Sequence, residues 1–301
     1  MKNTVAVSVS SLPNARVSSY LELTRPRLSS LVLFTVAVGF ALGSRDSLDL
    51  VRLLHTLIGT ALVAAGASAL NQVFERRSDG LMKRTRDRPL PSGHLQPEAV
   101  LLVGAGMTLA GLMYFAFIVH QPLSLLAATF AFASYVFAYT PLKRRTSLNT
   151  LVGAISGAMA PMTGWTAAAN SFDLHAAVLF AILFLWQVPH FLAIAWIYRD
   201  DYARAGLRML TVEDGHGDRT ARHMLRYSLG LVSLSLFPTA LGWTGAGYLI
   251  SALALGIWFV KCVLGFVTTR SEDQARRVLR ASLIYLPALL MLLLVEKLLA
   301  S

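Results

Sequence analysis

Residues 51–79 read VRLLHTLIGTALVAAGASALNQVFERRSD, an apolar stretch that closes on a knot of acids and arginines. From 51 to 73 the only Lys, Arg, Asp or Glu is Arg52, near the front. A helix rises 1.5 Å per residue, so such a run is long enough to cross a hydrocarbon layer of roughly 30 Å. It shows no period-2 alternation and no turn clusters, which argues against strands. Read as a membrane helix, it predicts that its polar end projects into one aqueous compartment.

Working outward, eight more apolar blocks occur at about 28–44, 98–119, 122–140, 148–169, 174–198, 224–243, 245–268 and 280–300. The chain is 55% apolar with mean hydropathy +0.58, too apolar for a soluble protein of 301 residues. The fold class expected is therefore an all-α polytopic membrane bundle of nine transmembrane helices. Residues 1–27 form an N-terminal segment, and 28–300 form one transmembrane domain. Pro122, after His120 and Gln121, and Gly245, after Trp243 and Thr244, mark tight hairpins.

With the N-terminus inside, 23 of the 27 Lys and Arg residues fall in the N-terminal segment and loops 74–97, 141–147, 199–226 and 269–280, all on one side. The positive-inside rule then puts the N-terminus in the cytoplasm and the C-terminus outside. A bacterial inner membrane is the expected location, with the mitochondrial inner membrane as the alternative. The net charge of +11 reports this topology and gives no reason to invoke nucleic acid. Cys262, the single cysteine, excludes disulfides, zinc spacings and C-x-x-C haem attachment. His55, His94, His120, His175, His216 and His223 lie at loops or span ends and receive no role.

The second block carries Asn71, Glu75 and Asp79 at i, i+4 and i+8, one face of a continuing helix. Oxygen ligands there suit Mg²⁺, which takes one or two carboxylates and completes its shell with water and substrate phosphate. Lys83, Arg84, Arg86 and Arg88 follow and can grip a pyrophosphate. The plainer reading of an acid-and-Arg run is a solvated anchor at the cytoplasmic end of a span. A second cluster of the same kind, Asp200 and Asp201 among Arg199, Arg204 and Arg208, favours the metal site. Lys143, Arg144 and Arg145 lie on the same side. Two acidic clusters beside an apolar bundle imply a substrate with a pyrophosphate head and a hydrocarbon tail.

Within the sixth block, Trp186-Gln187-Val188-Pro189-His190-Phe191 places an ionisable His inside the membrane. Pro189 removes a helix hydrogen bond and predicts a kink that turns His190 toward a cavity. His190 then either accepts a proton or satisfies a neighbour.

The strings NQVFERRSDGLMKRTRDRPLPSG (71–93), YTPLKRR (139–145), WQVPHF (186–191) and RDDYARAGLRML (199–210), with LTRPR (23–27), resemble the intramembrane UbiA-type prenyltransferases, and within them the haem-directed branch. The resemblance covers about residues 20–300. It implies a nine-helix fold and a Mg²⁺-dependent transfer of farnesyl from farnesyl pyrophosphate to protoheme, with haem as substrate. Metal residues implied are Glu75, Asp79, Asp200 and Asp201, either of the last two being the direct ligand. Asn71, Lys83, Arg84, Arg88, Lys143, Arg144 and Tyr202 would bind the pyrophosphate, and His190, Asp200 and Asp201 would be catalytic. Loops 74–97 and 199–226 would cap the site. Many members carry Asp at Glu75 and an acid at Arg77, so this chain has one charge of the acidic motif fewer. Further partners implied are the bilayer, a haem A synthase and cytochrome oxidase assembly factors. Competing readings are a quinone-precursor or chlorophyllide prenyltransferase and, in another class, a transporter or a non-enzymatic assembly factor. The phenylalanine- and tryptophan-flanked His190 segment separates the haem branch from the first. Phe74, Tyr135, Phe137, Tyr139, Trp186 and Phe191 are the aromatics placed to shield an allylic cation.

Overall fold

A computed structural model describes residues 13–45 and 47–300, and every regular element among them is helical. In chain order these are α1 (Pro13–Leu23), α2 (Pro26–Gly43), α3 (Leu50–Asp79), α4 (Pro97–Tyr114), α5 (Pro122–Ala133), α6 (Thr140–Leu142), α7 (Asn149–Ala169), α8 (Leu174–Ile197), α9 (Arg199–Arg204), α10 (Leu210–Glu213), α11 (Asp218–Ser235), α12 (Phe237–Ala240), α13 (Ala246–Thr269) and α14 (Glu272–Ala300). Wide π turns at Phe115–Val119 and Ser134–Tyr139 extend α4 and join α5 to α6. Each predicted apolar block coincides with helical chain, although block 224–243 is divided between α11 and α12.

Six rods among the described residues are long and apolar enough to cross a membrane: Leu50–Asp79, Pro97–Val119, Pro122–Leu142, Leu174–Ile197, Ala246–Thr269 and Glu272–Leu299. Leu28–Gly43 is a shorter apolar helix. The two others depart from a plain span for different reasons. Helix α7 is rich in Gly, Ala and Thr and buries most of its length, so close packing replaces greasy side chains. Its Gly164 lies against Val36 O of α2, while Gly39 of α2 lies against Pro161 O, and any Cβ would collide there. Helix α11 begins at Asp218, six residues before the predicted block, and carries Arg219, Arg222 and Arg226; it stops at Ser235 before α12, whose Pro238 lacks an N–H. The expected single block 224–243 is thus an amphipathic helix plus a short turn.

Sequence signals explain the ends. Pro26, Pro97 and Pro122 open helices at the first position, where a missing N–H costs nothing. Asp49 Oδ1 accepts from Arg52 N at 2.9 Å and Asp173 Oδ1 from Ala176 N at 3.1 Å, capping α3 and α8. His120, Asn170 and Arg270 turn left-handed to end their helices. Helix α8 continues through Pro189 to Ile197. Its Gln187 Nε2 donates to Ala154 O of α7 at 2.9 Å, and Trp186 Nε1 to Ser282 O of α14 at 2.7 Å. The main apolar core lies around α8, between α7, α11, α13 and α14.

Candidate active site

Helix α3 does not stop with its apolar run but continues to Asp79, so Asn71, Glu75 and Asp79 share a face as their spacing predicts. Asn71 is fully buried; its Nδ2 donates to Thr140 Oγ1 at 3.0 Å, and its Oδ1 has no partner. Glu75 pairs with Lys143 Nζ at 2.7 Å, and Asp79 Oδ2 accepts from Arg88 Nη1 at 2.8 Å. The π turn sets this up. It places Tyr135 and Tyr139 in a stack, centroids 5.6 Å apart, and sends Lys143 back over the Tyr139 ring at 4.3 Å. Burial works against the Lys143 charge, yet Glu75 outweighs it and raises the ammonium well above its ordinary range.

The second cluster reaches the first through the chain after α3. Asp201 is buried and accepts from the backbone N–H groups of Lys83 and Arg84, each at 3.3 Å, while also pairing with Arg204. Arg84 lies over the Tyr198 ring at 4.6 Å. Tyr202 sits among Arg84, Tyr139, Lys143 and Glu75, and burial first of all raises its phenol, which stays protonated. The segment after α9 is strapped onto the turn after α6: Arg208 N donates to Lys143 O at 2.7 Å and Asn149 Nδ2 to Arg208 O at 2.9 Å. Met82, Ala195, Leu207 and Met209 form an apolar knot joining the two polar segments.

The structure does not bring every expected residue in. Asp200 faces solvent with its side chain 89% exposed, touching only Arg199 at 3.8 Å. The side chains of Lys83, Arg84 and Arg144 are exposed at the rim, Arg144 reaching Ser78 Oγ at 3.5 Å. Of the six expected aromatics, Phe74 and Phe137 turn outward, Trp186 and Phe191 lie against His190, and Tyr135 and Tyr139 stand by Lys143. His190 lies apart, on α8 against α14, stacked on Trp186 with centroids 4.8 Å apart. Its Nδ1 is 2.8 Å from Ser282 Oγ. The Ser282 hydroxyl donates to Leu279 O at 2.7 Å, so its oxygen accepts from Nδ1–H and the lone pair falls on Nε2.

One group was missed in the sequence. Arg25, left-handed at φ 46° just before α2, has Nε and Nη2 buried without a partner. It lies close enough to Arg88 to depress that guanidinium, second only to burial itself. Arg88 already pairs with Asp79, so the unpartnered donors of Arg25 are the ones left for a bound anion. The Thr-Arg-Pro context carried the only signal, since Pro26 restricts the backbone of Arg25.

An orphan buried amide oxygen one helical turn before Glu75 and two before Asp79 fits a hard divalent cation. Among the described residues no three His, Cys, Asp or Glu side chains form a closed metal cage, so such an ion would draw its remaining ligands from phosphate oxygens and water.

Arginines and a lysine around an acidic helix face, at one end of an apolar bundle, have the chemistry to take a pyrophosphate attached to a hydrocarbon. The sequence profile of the UbiA prenyltransferase family matches residues 32–286, and the chain belongs to that family. A protoheme IX farnesyltransferase of Solibacter usitatus is 45% identical over 92% of this chain and 98% of its own length. One of Salinibacter ruber is 41% identical with the same coverage. Among solved structures, a digeranylgeranylglyceryl phosphate synthase superposes with TM-score 0.78 at 19% identity, covering 93% of this chain and 98% of that one. A UbiA homolog from Archaeoglobus fulgidus bound to GPP and Mg²⁺ gives 0.70 at 16% identity, over 91% of this chain and 99% of that one.

Proposed function

We propose that the protein transfers farnesyl from farnesyl pyrophosphate to a vinyl group of protoheme IX, adding water to give haem O. The observation that carries this is the convergence of Glu75, Asp79 and Asp201 with Lys143, Arg84 and Arg88 at one end of the bundle. Relatives 36–45% identical bear the protoheme IX farnesyltransferase name, which selects haem among acceptors.

In the reaction, the C1–O bond of the prenyl pyrophosphate breaks and pyrophosphate leaves with the electron pair. Lys143, Arg88, Arg84 and Arg25 neutralise the charge developing on it, with Tyr202 as a neutral donor. Asn71, Glu75 and Asp79, together with Asp201, are the residues that would hold Mg²⁺, which when bound would supply Lewis-acid stabilisation of the same oxygens. Tyr135 and Tyr139 face the allylic cation and keep water away. The vinyl carbon attacks C1; the cation left on the porphyrin side chain takes a water oxygen and releases a proton. Nε2 of His190 is the lone pair for that proton or for the haem iron. Loops 74–97 and 199–226 close over the site as its cap.

Purified protein given farnesyl pyrophosphate, Mg²⁺ and protoheme yields haem O, heavier by farnesyl plus water in extracted-haem mass spectra. Prenylation of 4-hydroxybenzoate but not haem would move the protein to the quinone branch. His190→Ala lowers haem turnover about a hundredfold while sparing farnesyl pyrophosphate binding; loss of that binding would assign His190 to the metal site. The location proposed is a bacterial inner membrane crossed nine times, N-terminus cytoplasmic, with haem O passed to a haem A synthase or oxidase assembly factors. Reporters fused after Arg86, Arg145, His216 and Gln274 then report cytoplasm, and one after Asn170 the outside. Agreement between the fusions at 170 and 216 would overturn the nine-span topology.

A further inference from the structure

Behind the acidic face of α3 lies a second basic feature that the pyrophosphate site does not use. A groove of about 360 Å³ opens between the end of α3 and the start of α4, with Arg76, Arg77 and Arg144 around walls that include Phe74 and Leu101. Arg77 follows Glu75 by two residues, about 200° round the helix, so the groove faces away from the metal face.

Its cations differ from four of their neighbours at this end of the molecule. Lys143, Arg88, Arg204 and Arg208 each hold a carboxylate. Among the described residues, Arg76, Arg77 and Arg144 form no ion pair, although they share one groove. Glu98 at its edge sits in the first turn of α4, where the helix N-terminus already favours an anion. The groove therefore keeps an excess of two positive charges. Below them the surface is apolar: Phe74 is 50% exposed, and Leu101, Leu102, Leu109 and Met113 continue exposed along α4, a span that has bilayer around it.

Unpaired guanidinium groups above an apolar track at the end of a membrane helix match one amphiphile. We propose that this groove binds the phosphate of an anionic glycerophospholipid, its acyl chains lying along the outer face of α4. Arginine suits a phosphodiester because its fork donates two parallel hydrogen bonds. Basic grooves at helix ends on this kind of surface recognise anionic headgroups. The lipid would brace the last turns of α3, which carry Glu75 and Asp79. The inference is independent of which acceptor the enzyme prenylates.

The test uses the full-length protein in nanodiscs of phosphatidylcholine doped with phosphatidylglycerol, with retained lipid read by native mass spectrometry. Wild type retains phosphatidylglycerol over phosphatidylcholine. R76Q/R77Q loses about thirty-fold of that preference, from the attraction of two basic groups near a lipid surface. R76K/R77K keeps most of it, since charge is preserved. Equal retention of both lipids by wild type, or an undiminished preference in R76Q/R77Q, overturns the proposal. So does displacement of the bound lipid by free inorganic pyrophosphate or by farnesyl pyrophosphate, which would make the groove a site for soluble polyphosphate or for waiting substrate.

Discussion

The two acidic clusters look alike as strings and are built differently. On α3, residues four apart repeat every 400° of helix rotation, so Asn71, Glu75 and Asp79 stay within about 80° of one another and all three turn inward. On α9, Asp200 and Asp201 are adjacent and about 100° apart, so a helix lying on the bundle can bury only one. It buries Asp201, and Asp200 is left in water. The clusters also handle charge differently. Glu75 and Asp79 are neutralised by side chains, Lys143 and Arg88, that an incoming pyrophosphate can share. Asp201 pairs with Arg204 and also holds the main chain of Lys83 and Arg84, so it fixes the loop that carries the arginines proposed to bind phosphate. The first cluster keeps side chains that an incoming ion can engage; the second is a clasp on the loop that follows α3.

Substitutions can break this division of labour. The largest expected effect is Glu75→Ala or Asp79→Ala, which lowers turnover about a thousandfold by removing a ligand that stabilises the leaving group. EDTA abolishes the same activity and Mg²⁺ restores it; full activity in EDTA would remove the metal from the site. Next comes Asp201→Asn, expected to cost about a hundredfold as the anchored loop loses charge-assisted hydrogen bonds. Its signature is loosened protection of residues 81–88 in hydrogen exchange, which Glu75→Ala does not share. Arg25→Ala raises KM for farnesyl pyrophosphate ten- to a hundredfold on the order of one charged hydrogen bond lost. An unchanged KM would mean its buried guanidinium serves the fold alone. Smallest is Asp200→Asn, within about twofold in all of these assays, because an exposed ion pair contributes little. A loss equal to that of Asp201→Asn would show the two acids exchanging places in the working enzyme.

Much of this was legible beforehand because it depends on local periodicity. Apolar runs of about twenty residues define rods whatever surrounds them, and a bilayer leaves their backbone no other way to satisfy its hydrogen bonds. The break signals at Pro122 and Gly245 are equally local. So is the shared face of Asn71, Glu75 and Asp79, which needs only that α3 continue past its apolar run. The seventh block was harder: hydropathy marks where greasy residues start, while α11 starts six residues earlier at its charged first turn.

Other features belong to tertiary structure because they join parts of the chain far apart in sequence. No spacing shows that Lys143 meets Glu75, that Asp201 reaches the main chain after α3, or that Ser282 sets the tautomer of His190. The choice of Asp201 over Asp200 depends on which side of a six-residue helix lies against the bundle, and the packing of Met82 with Leu207 and Met209 makes that choice. Arg25 is the sharpest case. In sequence it is one arginine of a basic N-terminal segment, and only its buried, unpartnered nitrogens beside Arg88 make it a candidate for binding an anion. Residue types and helical spacing determine which groups are available on each helix face; long-range packing determines which of them meet, because charge and hydrogen bonding act only at contact distance.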